Sequence, residues 1–156
     1  MSAPQRPVPG ERLLHPFPGA ALLLILVNDV ALKPAWPHSA VTGKLSDIGV
    51  NFVLPVVLLA FAELGVWLSS RRQLLPLGRP WVLGCAALSA GYFTLLKTVP
   101  TFTAVHTALV GALTRPFVDH FAVKNATDPS DLLTLVMTAL AVVYLDRSRH
   151  ARHKQK

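Results

Sequence analysis

The sequence predicts an all-α, polytopic membrane protein in which four transmembrane helices form two helical hairpins. Of its 156 residues, 52% are hydrophobic and only 15% are charged, whereas a soluble domain carries about 25% charged residues. The apolar residues form continuous blocks rather than alternating or amphipathic stripes. A helix that is apolar on every side lies in a deep core or in a bilayer. A chain of this length is too short to surround several buried helices with amphipathic ones, and the sequence contains no amphipathic helices that could do so. We therefore predict that the apolar helices lie in a bilayer.

Four apolar blocks predict the four spans, in order: residues 17–32, 48–70, 81–96 and 132–145. A spanning helix needs about 17 to 25 residues. The second block reaches that length alone, and the others must include flanking residues; Pro129 to Asp131 extend the fourth. The predicted organisation is a cytoplasmic segment at 1–16, a single membrane domain at 17–146 and a basic cytoplasmic tail at 147–156.

A fifth block at 99–113 is less apolar, and the distribution of basic residues decides whether it spans. Cytoplasmic loops collect Lys and Arg. With four spans, ten basic residues lie on the side of both termini: Arg6, Arg12, Arg71, Arg72, Arg79, Arg147, Arg149, Arg152, Lys154 and Lys156. Five lie on the other side: Lys33, Lys44, Lys97, Arg115 and Lys124. With five spans the division becomes seven against eight, which has no bias.

The charge bias therefore predicts four spans with both termini in the cytoplasm. Residues 99–127 become an outer loop that holds a re-entrant or interfacial helix. The first block contains Asn28 and Asp29 and lacks a clear cleavage site, so we expect it to remain as a helix rather than be removed as a signal peptide. The predicted location is the cytoplasmic membrane, which the chain crosses several times.

The two predicted hairpins share a sequence pattern. The first half reads "ALKPAWP" and then "SDIGV", and the second reads "LLKTVP" and then "SDLLT". The matched pairs are Lys33 with Lys97, Ser46 with Ser130, and Asp47 with Asp131. Two-helix units return the chain to its starting side, so such a repeat is parallel, with its axis along the membrane normal. Duplication and chance convergence both account for so short a match.

The repeat and the topology together predict a cluster of charged residues on the outer face. Its members are Asp29, Lys33, Lys44, Asp47, Lys97, Arg115, Asp128 and Asp131. Charges of both signs at spacings of three and four residues indicate a bonded network rather than a field of one sign. We expect Asp47 and Asp131 to approach each other, with Lys33 and Lys97 close by. Asp47→Asn should then weaken the bundle, and Asp47→Lys should weaken it more.

Several of these residues also have a purely structural interpretation. Asp128 precedes Pro129 and is a good helix N-cap. Asp29 lies inside an apolar helix, where an ionisable group is costly and usually functional, but it can also form a structural ion pair with Lys33 or Lys44. Glu63 lies near the inner end of the second helix, where it can extend to the interface beside Arg71 or Arg72.

Metal, cofactor and nucleic-acid sites are not expected. The histidines lack the spacing of metal ligands, and Cys85 is the only cysteine. The basic tail follows directly after a predicted span, where it serves topology and contact with anionic lipids. The expected partners are membrane lipids, with a membrane protein partner or a second copy as further candidates.

The motifs "ND...LKP", "TGKLSD", "LLK" and "TDPSDLL" resemble a bacterial family of small four-helix membrane proteins whose activity is uncharacterised. A fainter similarity is to VanZ-like proteins, which are also small and four-helical. Lys44 and Asp131 match that family's lysine and aspartate. Asp47 stands in place of its histidine, and Leu135 in place of its asparagine. The similarity implies a link to envelope and glycopeptide responses.

The leading hypothesis is a non-enzymatic membrane protein whose outer cluster binds a lipid headgroup, an ion or a partner. The first rival is an enzyme that acts on a lipid-linked phosphate or glycan headgroup, with Asp29, Asp47 or Asp131 as acid or base. In that reading the phosphate ligands are Lys33, Lys44, Lys97 and Arg115. An ion or proton conduit ranks last, because the third and fourth helices have no ionisable residue in their middle. An enzyme should have a free carboxylate in an open outer pocket, whereas a structural cluster should pair every carboxylate.

Overall fold

The computed structural model describes residues 8–37, 39–70, 77–114, 116 and 127–153. Within these ranges the regular structure is entirely helical. The long helices are α1 (Pro16–Ala35), α2 (Ala40–Ser69), α3 (Arg79–Thr98), α4 (Pro100–Thr114) and α5 (Val136–His153). A 3-10 helix at Pro129–Leu135 leads directly into α5, and a 3-10 turn at Glu11–Leu14 precedes α1.

Three of the described helical segments are long and apolar enough to cross a membrane: Pro16–Ala35, Ala40–Ser69 and Pro129–Ser148. The pair α3 and α4 makes a fourth if both are counted as one span, although they are bent by 106°. The break falls at Val99, between two helices that the sequence analysis separated. The prediction of an all-α chain with several membrane-length helices is therefore confirmed.

Local sequence explains where these helices begin. The His15 side chain accepts a hydrogen bond from the Phe17 backbone N–H, and Pro16 occupies the first turn of α1. The Ser39 side chain accepts from Val41 N–H at the start of α2. A side-chain acceptor at the N-cap satisfies a donor that the helix leaves open, and proline suits a position that needs no donor.

The core lies where α2, α3 and α5 meet. Its fully buried members include Val56, Leu59, Val82 and Leu145. Large apolar side chains on the outside of the bundle remain exposed, including Leu23, Leu64, Leu88 and Leu140. Exposed leucines on several helices suit a bundle that is solvated by lipid rather than by water.

Helix α1 packs against α2 at Gly49. A Cβ atom at this position would lie 2.5 Å from Ile25 Cγ1 and 3.0 Å from the Ala21 carbonyl oxygen. Such distances leave no room for a side chain, so this contact requires glycine. The close approach brings the polar residues at the C-terminal end of α1 against the start of α2.

Helix α4 is fastened to α3 by side chains around the bend. Thr103 Oγ1 donates to the Leu96 carbonyl oxygen at 2.6 Å. The Tyr92 hydroxyl is hydrogen-bonded to His106 Nδ1, and the Phe102 ring packs edge-on against Tyr92 at 5.5 Å. The bend is therefore held by both polar and aromatic contacts.

Candidate functional site

Lys97 lies at the centre of a buried charge cluster. Its Nζ atom is 2.8 Å from Asp131 Oδ2 and 2.9 Å from Asp47 Oδ2. The three residues come from α3, the 3-10 helix and α2, so one cation joins three elements. Only 8% of the Lys97 side chain is exposed, which makes these ion pairs largely shielded from water.

Lys44 closes the exposed side of the same cluster. Its Nζ atom donates to Asp131 Oδ1 at 2.8 Å and to Ser130 Oγ at 2.7 Å. Both carboxylate oxygens of Asp131 are thus bound to lysines. The Lys44 side chain is 37% exposed, so the margin of the cluster can be reached from outside the bundle. We refer to Lys44, Asp47, Lys97 and Asp131 as the central cluster, and to this end of the bundle as the Lys97 end.

A second polar group joins α1 to α2. Asn28 Nδ2 donates to the Thr42 carbonyl oxygen at 2.6 Å and to Ser46 Oγ at 2.7 Å. Ser46 Oγ donates in turn to Asp29 Oδ1 at 2.6 Å, and Lys33 Nζ lies 2.6 Å from the same oxygen. Because Ser46 precedes Asp47, this group is adjacent in sequence to the central cluster.

The position of Lys33 differs from the expectation that it lies beside Asp47 and Asp131 as Lys97 does. Its ion pair is with Asp29, four residues earlier on the same helix, and its side chain is 43% exposed. Two residues one helical turn apart meet without any tertiary contact, and this local partner takes Lys33 out of the centre. Lys33 and Lys97 therefore have different environments despite the matched sequence pattern.

Helix α1 widens at Asn28 and Asp29, the residues that form this second polar group. Residues Asn28–Leu32 make a π turn within α1. Pro34 follows this turn and has no N–H to donate to the Val30 carbonyl oxygen, so the regular series of helical backbone hydrogen bonds is interrupted here. Turns of this kind are frequent at functional sites. Here the turn presents Asn28 and Asp29 to α2.

Asp128 plays the capping role that its sequence context predicts. Its Oδ1 atom accepts a hydrogen bond from Ser130 N–H at 2.9 Å. Hydrogen bonds from the Ser130 hydroxyl and from its backbone N–H lower the pKa of the Asp128 carboxyl, so it is ionised at neutral pH. Within the described ranges it has no basic side chain at ion-pair distance. Arg115, the remaining predicted member, lies outside the described residues.

A chain of hydrogen bonds continues from the central cluster into the bundle. Thr134 Oγ1 donates to the Asp131 carbonyl oxygen at 2.7 Å, and Asn51 Nδ2 donates to Thr134 Oγ1 at 2.7 Å. Thr138 Oγ1 then donates to the Asn51 carbonyl oxygen at 3.0 Å. That carbonyl is available because Pro55, four residues later, has no N–H. The sequence analysis did not predict this chain of hydrogen bonds, although a proline inside an apolar helix indicates that the carbonyl four residues earlier lacks its usual donor.

A second buried ion pair lies at the opposite end of the bundle. Arg12 Nη1 is 3.1 Å from Glu63 Oε1, and both side chains are under 10% exposed. Glu63 Oε2 also accepts from Gly10 N–H at 3.0 Å. The expectation that Glu63 extends toward Arg71 or Arg72 is therefore replaced by a contact with the segment before α1. Arg71 and Arg72 lie outside the described residues.

The two charged ends are separated by an apolar layer. Val56, Leu59, Val82 and Leu145 are all buried between them. No Asp, Glu, Lys, Arg or His falls between Asp131 and Asp146 or between Arg79 and Lys97. A conduit for ions or protons needs polar groups through the whole membrane, so this layer disfavours it.

The chemistry available at the Lys97 end is that of paired charges. Asp29, Asp47 and Asp131 each have a lysine within 3 Å. In the described part of the chain, no group of three or more His, Cys, Asp or Glu side chains is arranged to hold a metal ion. An open depression beside the turn between α1 and α2 is lined by Ala35, Trp36, Pro37 and Ser39, none of which is a charged member of the cluster.

No protein-family model, curated protein or solved structure was found to match this chain.

Proposed function

We propose that this chain is a non-enzymatic protein of the bacterial inner membrane. Its central cluster docks the two helical hairpins, and the exposed margin of that cluster binds a polar lipid headgroup. The observation that carries the proposal is Lys97, which shares one buried ammonium between carboxylates from two other elements. A catalytic acid or base must be free to exchange a proton with substrate, whereas Asp47 and Asp131 are held in ion pairs.

The proposed topology has four spans, both termini in the cytoplasm and the Lys97 end outside. Basic residues are more frequent on the terminal side, as the positive-inside rule requires. Because α4 turns by 106° from α3, it runs close to the membrane plane once α3 is upright. Its 15 residues are about 22 Å long, too short for a span, and suit an outer interfacial helix.

Cysteine accessibility tests this topology. Single cysteines are introduced near residue 5, in residues 116–126 and near residue 154, in a Cys85→Ala background. A membrane-impermeant thiol reagent should label only the middle position in intact cells, and all three after permeabilisation. Labelling of the tail in intact cells would contradict four spans and would move the central cluster away from the outer face.

The margin of the central cluster has bonding capacity for a headgroup. Lys44 has three N–H donors, two of which are taken by Ser130 and Asp131. Asp128 uses one oxygen as a cap and has a second oxygen that can accept. A spare donor and a spare acceptor on either side of Ser130 suit a headgroup that carries a phosphate and a donor such as an ammonium or hydroxyl.

Lipid identification by mass spectrometry tests headgroup binding. We expect a phospholipid to copurify with the wild-type protein and to be reduced severalfold in Lys44→Gln, because the phosphate loses its charged donor. Arg79→Gln is the matched control, since Arg79 is an exposed cation at the opposite end. A protein without bound lipid, or equal loss in both variants, would overturn headgroup binding and leave only the docking role.

The enzyme hypothesis retains one specific observation. Asp128 is an ionised carboxylate beside Lys44 with no basic partner within the described ranges, as an acid or base on a lipid-linked headgroup requires. It is exposed, however, and it does not line the depression near Trp36. Turnover of a lipid-linked headgroup that is abolished in Asp128→Asn would favour the enzyme.

A further inference from the structure

One buried hydroxyl in this bundle departs from the behaviour of the others. Ser and Thr within helices usually donate back to the carbonyl four residues earlier. Six described side chains do so: Ser69, Thr94, Thr98, Thr103, Thr114 and Ser148. Ser89 in α3 is fully buried, yet its Oγ atom has no hydrogen-bond partner among the described residues.

A second unpartnered oxygen lies on the facing helix. Asn51 is also fully buried, and its Oδ1 atom has no partner within the described ranges. Thr134 sets the orientation of this amide, because its single O–H donates to the Asp131 carbonyl oxygen. Thr134 Oγ1 can then only accept from Asn51, so the amide atom that faces it is the donor Nδ2. The oxygen is therefore a genuine acceptor that needs a donor from elsewhere.

The helix register places these two residues within about one helical turn of each other. The contact between Lys97 and Asp47 aligns α3 with α2, which run in opposite directions. Asn51 is one turn below Asp47, or about 6 Å, and Ser89 is two turns below Lys97, or about 12 Å. Pro55 lies at the depth of Ser89, and the freed carbonyl above it accepts from Thr138. Helices α2, α3 and α5 thus meet in a polar junction.

An unmade hydrogen bond is costly where no bulk water is available. We infer that this junction binds a small, neutral hydrogen-bond donor, shared between Asn51 Oδ1 and Ser89 Oγ, with water as its smallest member. The guest is neutral because no Asp, Glu, Lys, Arg or His lies at this depth on α2, α3 or α5 to balance a charge. It is small because Phe93 and Val56 are buried around the same level.

The direction in which one substitution shifts the midpoint of thermal unfolding tests this site in the full-length protein. Ser89→Ala should lower the midpoint of thermal unfolding by about 2 to 4 °C, the usual consequence of one lost buried bond in a chain of this size. Ser69→Ala is the control, because it makes the same change at a hydroxyl that bonds back to its own helix; it should leave the midpoint nearly unchanged. An unchanged or raised midpoint for Ser89→Ala would overturn the proposal, since deleting an unpartnered hydroxyl removes only a penalty.

A double-mutant cycle tests whether the two oxygens share the guest. Ser89→Ala and Asn51→Ala should be non-additive by at least about threefold in the unfolding equilibrium constant. If Asn51→Ala does not fold, Asn51→Leu replaces it, because leucine has nearly the same shape as asparagine and carries no oxygen that could share the guest. Additive effects would overturn a shared guest, because side chains without a common partner act independently.

Discussion

Replacement of Lys97 by methionine is expected to destabilise the protein by about 3 to 5 kcal/mol, the usual cost of removing one partner from a buried ion pair. Methionine keeps much of the length and the apolar stem of lysine. The loss therefore arises from Asp47, whose ion pair is with Lys97, and from Asp131, which keeps only Lys44. Chemical or thermal unfolding of the purified protein in detergent measures the effect.

Two further variants separate charge from packing at this position. Lys33→Met is the matched control, because Lys33 forms one exposed ion pair within α1, and exposed pairs contribute less than about 1 kcal/mol. The double variant Lys97→Met, Asp47→Asn should recover much of the stability, since it removes the unpaired carboxylate as well. Equal effects of Lys97→Met and Lys33→Met would contradict a central role for Lys97.

Gly49→Leu is expected to destabilise the contact between α1 and α2 by about 3 kcal/mol, the upper end of the usual cost of overpacking. The new Cβ would meet Ile25 Cγ1 at 2.5 Å and the Ala21 backbone at 3.0 Å. The Ile25 side chain can rotate, but the Ala21 carbonyl can yield only if the helix axes separate. Thermal unfolding in detergent measures the loss.

Gly65→Leu provides the control on the same helix, because no atom lies within 4 Å of a Cβ added there. It should be neutral or slightly stabilising, since leucine favours a helix more than glycine does. If both glycine variants unfold at the same temperature, the close approach of α1 and α2 is not what Gly49 provides.

The features that sequence predicted well depend on long apolar runs and on local caps. The four blocks became the cores of α1, α2, α3 and the segment that ends in α5, because continuous apolar sequence determines both helix and burial in lipid. Asp128 was identified as a cap from its neighbours alone, and the structure has it capping Ser130 N–H. Such signals are local, so they survive without knowledge of tertiary packing.

The features that sequence did not predict depend on which helices meet. Lys33 and Lys97 look alike in sequence, but Lys33 has a carboxylate four residues away and Lys97 obtains both of its carboxylates from other elements. Glu63 pairs with Arg12 because the segment before α1 folds against α2. The roles of Gly49 and Pro55 likewise depend on a neighbouring helix that no periodicity identifies.

The positions of the partners of Lys97 along the chain also determine when each ion pair can form during synthesis and membrane insertion. Asp47 precedes Lys97 along the chain, whereas Asp131 follows it and is separated from Lys44 by 87 residues. A nascent chain that has delivered α3 to the membrane, but not yet the last helix, carries two lysines of the central cluster against one carboxylate. The last helical segment therefore brings a counterion, Asp131, as well as apolar surface into the membrane. Its insertion balances the charge of the central cluster.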